Sequence, residues 1–96
     1  MAVKQRLTAS ALVKSGYSRI TALLVGCDGS NDAVVTVYDD LSNTAGTEAI
    51  PTCTYDASAL GLNGVVFGRD GAIECDTGIY VEIADLGTGE VLIYYN

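Results

Sequence analysis

The chain contains no histidine and no tryptophan, and Pro51 is its single proline. Histidine is the usual base that activates a serine or cysteine nucleophile at neutral pH, so its absence excludes a Ser-His-Asp or Cys-His centre. Twelve carboxylates remain, but no two of them stand out as the acid pair of a glycosidase. The sequence therefore predicts a protein that is not an enzyme.

Motifs that hold metals, phosphates or cofactors are also missing. The 11 glycines are scattered, and they form neither a phosphate-binding loop nor a dinucleotide fingerprint. Residues 28–32 are rich in oxygen ligands, and Asp28, Asn31 and Asp32 are the only candidates for a calcium site. Their order does not match an EF-hand, and Asp and Asn are common in tight turns. We therefore expect no metal and no cofactor.

Positive charge is scarce and unevenly placed, since 5 Lys and Arg residues face 12 Asp and Glu residues. The first 27 residues hold no acid and four of the cations: Lys4, Arg6, Lys14 and Arg19. The remaining 69 residues hold every acid and only Arg69. Such an acidic majority repels phosphate groups, which argues against nucleic-acid binding. A domain divided in this way can present opposite charges to neighbouring copies or to partners.

Long apolar runs and clustered cysteines are absent as well. No apolar run reaches the roughly 18 residues of a membrane span. A signal peptide needs an uninterrupted apolar stretch after a basic start, whereas Lys4, Gln5, Arg6 and Lys14 interrupt residues 1–16, so no export is predicted. Three widely spaced cysteines, Cys27, Cys53 and Cys75, cannot all pair within one chain and do not form a zinc pattern. We expect reduced, buried thiols in a single domain made in a cytosol.

Short apolar segments recur at strand length between glycines and aspartates, and none keeps a 3.6-residue period. This pattern predicts an all-β fold, an antiparallel β-sandwich of about eight short strands with jelly-roll-like connections favoured over a small barrel. Residues 1–13 are predicted as a basic N-terminal arm or edge strand, on the parent sheet or on a neighbour, and residues 14–96 as the sandwich domain. Pro51 lacks an N–H donor, which predicts an edge strand around it.

Turn residues between the segments predict three hairpins. The predicted pairs are residues 19–27 with 33–39, residues 64–68 with 72–76, and residues 79–84 with 90–95.

Apolar and tyrosine residues exceed what one thin sandwich readily hides. Residues 20–25 are apolar on both faces of the predicted strand, and residues 91–95 have almost no polar interruption. Surplus apolar surface of this kind favours oligomerisation, and tyrosine is common at interfaces. We therefore expect a homo-oligomer in which cations meet acids of an adjacent copy. The candidate partner-binding residues are Lys4, Arg6, Lys14, Arg19, Tyr94 and Tyr95.

Several segments resemble a known family. A Lys-Ser-Gly step at residues 14–16 precedes the first apolar strand, and residues 35–39 read Val-Thr-Val-Tyr-Asp. Residues 43–47 form a small-residue loop with glycine and threonine, and the strand at residues 91–95 is rich in valine and tyrosine. In these features the chain resembles small virion proteins of tailed bacteriophages, of the head decoration, cement or head-fibre base type. It departs from them in its three cysteines and in the acidic stretch from residue 70 to 82.

The resemblance implies a protein without catalytic residues that assembles as a homotrimer, binds the major capsid protein and stabilises the shell. Its location would be the virion, after assembly in the cytoplasm of the bacterial host. Two alternatives remain. One is a neck, tail or fibre-attachment component, and the other is a carbohydrate- or receptor-binding β module that stacks sugars on Tyr38, Tyr55, Tyr80 or Tyr94. The second is weakened by the absence of tryptophan.

Overall fold

The computed structural model describes residues 3–43, 47–58 and 61–96. Within these residues the chain forms nine strands in two antiparallel sheets. The strands are β1 (Val3–Leu7), β2 (Ala11–Ser15), β3 (Ser18–Gly26), β4 (Ala33–Tyr38), β5 (Glu48–Tyr55), β6 (Asn63–Val66), β7 (Ile73–Cys75), β8 (Gly78–Ala84) and β9 (Glu90–Tyr95). Sheet A has the order β1-β9-β3-β6 with β7 also on β3, and sheet B has the order β2-β8-β4-β5. The predicted all-β sandwich is confirmed.

Strands β6 and β7 are successive parts of one edge. Val66 lies opposite Ala22 of β3, and Ile73 lies opposite Ile20 of the same strand, so residues 67–72 interrupt a single antiparallel run. Counted as one strand, they leave eight strands with the order of a jelly roll, in which each connection crosses to the other sheet except the one from β4 to β5. The expected strand number and style of connection therefore agree with the structure.

The three predicted hairpins are wrong. Strands β3 and β4 lie in different sheets, and so do β8 and β9, while β6 and β7 both pair with β3 and not with each other. Turn residues such as Asp28 and Gly29 indicate only that the chain reverses direction. Whether it returns beside the same strand or crosses to the other sheet depends on pairing with distant segments.

The core lies between the sheets and consists of alternate residues from both. Its fully buried members include Ile20, Leu23, Val25, Val35, Val37, Ile79, Val81, Val91 and Ile93. A bulge in β3 between Ile20 and Ala22 shifts the alternation by one residue. As a result, Leu23 and Val25 enter the core while Ala22 and Leu24 point away from it. This bulge explains why the segment is apolar on both faces.

The N-terminal region takes part in both sheets. Strand β1 pairs with β9 of the same chain at the edge of sheet A, and β2 pairs with β8 at the edge of sheet B. Met1 and Ala2 of the predicted arm lie outside the described residues. Strand β5, which contains Pro51, pairs only with β4 and is the other edge of sheet B, as predicted. No helix in the described part of the chain has the length and apolar content to cross a membrane.

All three cysteines are free thiols, but they are not all buried. Cys75 is buried. Its pKa is raised to about 11, mainly by this burial and to a smaller extent by the charges of Asp39 and Asp76. Cys27 is half-buried, and Cys53 is exposed on the edge strand β5. The expectation of buried thiols is therefore wrong for Cys53, because an edge strand has a covering neighbour on one side only.

Candidate interaction surface

The outer side of sheet A carries an apolar patch. Because Leu23, Val25, Val91 and Ile93 enter the core, the residues that alternate with them point outward. The strand register places them in adjacent rows, with Tyr94 between Lys4 and Ala22, and Leu92 between Arg6 and Leu24. Val66 of β6 extends the first row and is 70% exposed. We call the apolar patch formed by five residues the A face: Ala22, Leu24, Val66, Leu92 and Tyr94.

A shallow open hollow of about 440 Å³ lies on the A face. Ala22, Leu24, Val66 and Tyr94 line it, and Arg69 lies at the same hollow. Most of its surface is therefore apolar, with a cationic side chain beside it. A surface of this composition suits an apolar side chain of a partner accompanied by a carboxylate.

Gly64 keeps β6 close to β3 beside the A face. Its φ of 148° lies in a region that favours glycine, and a Cβ atom there would lie 2.0 Å from the carbonyl oxygen of Leu23. Gly64 is also the cross-strand partner of Leu24. Since glycine has no side chain, nothing at this position of β6 covers Leu24 from the outer side.

Cations gather around the A face. Lys4 and Arg6 lie on β1 at one side, and Arg69 lies at the hollow. Arg19 also points outward, because its neighbours Ser18 and Ile20 are buried. Three acids accompany them: Glu90 accepts a hydrogen bond from Arg6 Nε, Glu74 lies opposite Arg19 on β7, and Asp70 follows Arg69 in the chain.

Folding keeps part of the charge separation of the sequence. Four of the chain's five cations lie on or beside the A face with three acids, Glu74, Glu90 and Asp70, the exposed neighbour of Arg69, which gives this side a formal charge of +1. The rest of the molecule holds Lys14 and the other nine acids, a formal charge of −8. The two together give the total of −7. A basic-bordered apolar face is thus set against an acidic remainder.

The structure brings together some of the predicted partner-binding residues and separates others. Lys4, Arg6, Arg19 and Tyr94 lie on or beside the A face. Lys14 lies on β2 in sheet B, and the side chain of Tyr95 packs against the core.

Sequence reasoning missed five residues of this side of the molecule. They are Ala22, Leu24, Val66, Leu92 and Arg69. The two-faced apolar pattern at residues 20–25 was the available signal for Leu24. Nothing in the sequence indicated that the segments with Val66 and Arg69 would pack beside it.

The outer side of sheet B is built differently. Thr36 is only 3% exposed, and its hydroxyl lies 2.6 Å from that of Thr52. Asn43 Nδ2 donates a hydrogen bond to Glu82. Tyr38 is 8% exposed. Its pKa is raised mainly by burial and to a smaller extent by the charges of Glu82 and Glu48. This side carries paired polar groups and acids of the chain itself, together with a row formed by Tyr38, Tyr80 and Leu12, the last of which is 44% exposed.

Several loop acids hold loops together and are not arranged as a metal site. Asp28 accepts hydrogen bonds from the backbone N–H groups of Ser30, Asn31 and Thr88 at 2.8–3.1 Å. These hydrogen bonds, and the one from Ser30 most of all, hold the pKa of Asp28 far below the usual range. Asp32, another proposed calcium ligand, accepts from Ala57 N at 2.7 Å. Over residues 3–43, 47–58 and 61–96, no group of three His, Cys, Asp or Glu side chains is placed to hold a metal ion.

Asp39 also holds two segments together by hydrogen bonds, namely the end of β4 and the start of β8. Burial raises its pKa, but the N–H groups of Thr77, Asp76 and Gly78, at 2.9, 3.1 and 3.3 Å, outweigh this effect and leave the pKa below its usual value. These hydrogen bonds engage the Asp39 carboxylate within its own chain.

Comparisons of the chain with models of protein families, with curated proteins and with solved structures give no match in any of the three. Of the segments that carry the resemblance to phage virion proteins, most of residues 35–39 and all of residues 91–95 lie in β4 and β9. Residues 44–46 of the small-residue loop lie outside the described residues.

Proposed function

We propose that this chain is a non-enzymatic decoration, or cement, protein of a tailed-bacteriophage capsid. It assembles as a homo-oligomer, a trimer, binds the major capsid protein on the outer shell and stabilises that shell. The observation that carries the proposal is the A face, an apolar patch on the outer side of sheet A with cations around it, of which Val66 is the most exposed member. The segments that resemble phage virion proteins supply the kind of assembly in which such a face is used.

The size of the molecule supports a contact role for this face. The Cα atoms extend over 35 × 26 × 18 Å, so a broad side of the sandwich covers roughly 900 Å². A stable protein interface buries about 800 Å² on each partner. One side of the sandwich therefore suffices for one interface. Symmetry then multiplies a modest contact over many copies on a shell.

The chemistry of the side chains supports a role without catalysis. Histidine is absent from the whole sequence. The raised pKa of Cys75 keeps that thiol protonated at neutral pH, and a thiol is a poor nucleophile in comparison with a thiolate. Asp28 and Asp39 are engaged by backbone N–H groups. The residues with unusual environments thus serve the fold.

Light scattering coupled to size-exclusion chromatography tests self-assembly, and shell binding tests the decoration role. The purified chain should elute as a discrete small oligomer over a range of concentrations. Added to undecorated shells of the phage that encodes it, it should bind at a fixed ratio to the capsid protein and raise the temperature at which the shells rupture. A monomeric chain that leaves the rupture temperature unchanged would contradict the proposal. If the labelled chain binds virions only at the neck or tail, the alternative of an attachment component is favoured.

A carbohydrate-binding module is the second candidate, and one observation favours it. Tyr94 lines an open hollow that also contains the polar residues Thr21 and Asn96, an arrangement that suits stacking and hydrogen bonding to a sugar. Tyr38, another aromatic residue considered for this role, is too buried to present its ring. Glycan-array binding that disappears in Tyr94→Ala but persists in Tyr80→Ala would support this function over the first.

A further inference from the structure

We propose that the A face of one copy binds the acidic remainder of a second copy, in a head-to-tail contact, and does not bind the A face of that copy. The inference rests on the self-assembly in the proposed function and specifies which surfaces meet. It is argued from the distribution of charge around an apolar patch.

Contact between two A faces would place like charges together. Each copy would contribute Lys4, Arg6, Arg19 and Arg69, against Glu74, Glu90 and Asp70. Glu90 already accepts a hydrogen bond from Arg6 within the same copy. Like charges brought together across an interface weaken association and select against that arrangement. The apolar patch alone would allow such a contact, but the charges around it oppose it.

The remainder of the chain has the opposite character. Outside the A face and its surroundings, Lys14 is the only cation against nine acids. At one end of the sandwich, hydrogen bonds from Thr88 to Asp28 and from Ala57 to Asp32 join three loops that contain no cation. At physiological salt, charges interact mainly within about 8 Å, so the local charges at the contact decide the orientation, more than the total of −7.

Symmetry leads to the same arrangement. A contact of a patch with itself produces a dimer, whereas a head-to-tail contact produces a ring when the rotation closes. A trimer with cyclic symmetry requires head-to-tail contacts. The charge arrangement of this chain supplies two different and complementary surfaces, which is what such a contact needs.

The test uses a variant whose A face is disabled, mixed with the wild-type chain. Lys4→Gln, Val66→Asn and Arg69→Gln are combined, because all three side chains are exposed and the fold should survive, which the thermal unfolding temperature checks. None of these changes adds a negative charge that could attract a wild-type A face. The variant alone should be monomeric by light scattering. Native mass spectrometry of an equal mixture should show species that contain both chains, because the variant still offers its acidic surface to a wild-type A face. Lys14→Gln is the matched control on sheet B, and it should assemble like the wild type.

Each other result has a distinct meaning. If the wild type is oligomeric and the mixture contains no mixed species, the head-to-tail contact is wrong while self-assembly stands. If the triple variant alone still assembles fully, the A face is not the contact, and the inference is again wrong. If the wild type itself is monomeric, both this inference and the self-assembly of the proposed function fail.

Discussion

The outer sides of the two sheets differ in composition. Sheet B carries on its outer side polar groups that partner one another, such as the Thr36 and Thr52 hydroxyls and the pair Asn43 and Glu82. Sheet A leaves an apolar hollow open and surrounds it with cations. The buried side-chain polar atoms without a partner among the described residues, Ser18 Oγ and Asn63 Nδ2, also belong to sheet A.

This difference indicates which side of the molecule is expected to bind a partner. Both sheets contribute to the same core, so core packing does not distinguish them. What distinguishes them is the composition of the outer side. Sheet B combines polar pairs and acids with a row formed by Leu12, Tyr80 and Tyr38. Sheet A combines apolar area, which water covers only at a cost of about 25 cal/mol for each Å², with cations that can attract an acidic partner. An interface is therefore expected on sheet A.

Replacing Gly64 with alanine should have the largest effect, because it would push β6 away from sheet A. The added Cβ meets the Leu23 carbonyl oxygen at 2.0 Å, and the positive φ adds strain. We expect a loss of more than about 2 kcal/mol in the free energy of unfolding, measured by urea denaturation. Gly16→Ala is the matched control, since Gly16 has a φ of 88° and no atom within 4 Å of its added Cβ. Equal losses in the two variants would contradict the proposed close approach.

Exchanging one tyrosine on each side tests the comparison directly. Tyr94→Ala removes an aromatic ring from the A face, and we expect it to weaken self-association at least about tenfold, the effect of a moderate interface hot spot. Tyr80→Ala makes the same change on the outer side of sheet B and should leave association unchanged. Sedimentation equilibrium of both variants gives the two constants. Equal weakening by the two substitutions would remove the distinction between the sides.

Acid should loosen a loop clamp that joins segments of both sheets. Asp28 connects the loop after β3 with the loop before β9, and its pKa is lower in the folded chain than the ordinary value of 3.8. Its carboxylate therefore stabilises the fold above pH 3.8, and this contribution is lost as the pH falls below that value toward the folded pKa. Asp28→Asn should lower the melting temperature at neutral pH, and the difference from wild type should shrink in acid.

Thr36→Val is a useful comparison for this acid effect, since the hydroxyl of Thr36 pairs with that of Thr52 and neither group titrates in acid. Its difference in melting temperature from the wild type should stay nearly constant over the same pH range. A difference between Asp28→Asn and wild type that is equally constant would show that the Asp28 carboxylate is not responsible.

The fold class could be predicted because it follows from local patterns, whereas the pairing could not. Short apolar segments and the missing N–H of Pro51 indicated strands and an edge, and both are present. The hairpins were wrong because a turn such as residues 85–89 fits a reversal within one sheet or a crossing between sheets. The choice depends on contacts between segments far apart in the sequence, such as β1 with β9.

The candidate surface was predictable only in part for the same reason. Lys4, Arg6 and Tyr94 could be nominated from charge and residue type. Arg69 could not, because it is distant in sequence from the basic segment and reaches the A face only through the pairing of β6 with β3. The Ile20–Ala22 bulge, which turns Leu24 outward, also leaves no clear mark in the sequence.

The smallest expected effects compare one buried hydroxyl from each sheet. Thr36 has a partner in Thr52, so Thr36→Val should lower the free energy of unfolding by about 1 kcal/mol, the net value of a typical hydrogen bond. Ser18 is 2% exposed and its hydroxyl has no partner among the described residues, so Ser18→Ala should change that free energy by less than about 0.5 kcal/mol or raise it. Urea denaturation of both variants measures the pair. A clear loss in Ser18→Ala would mean that this hydroxyl is satisfied, by water or by another group, and that the two sheets differ only on their outer sides.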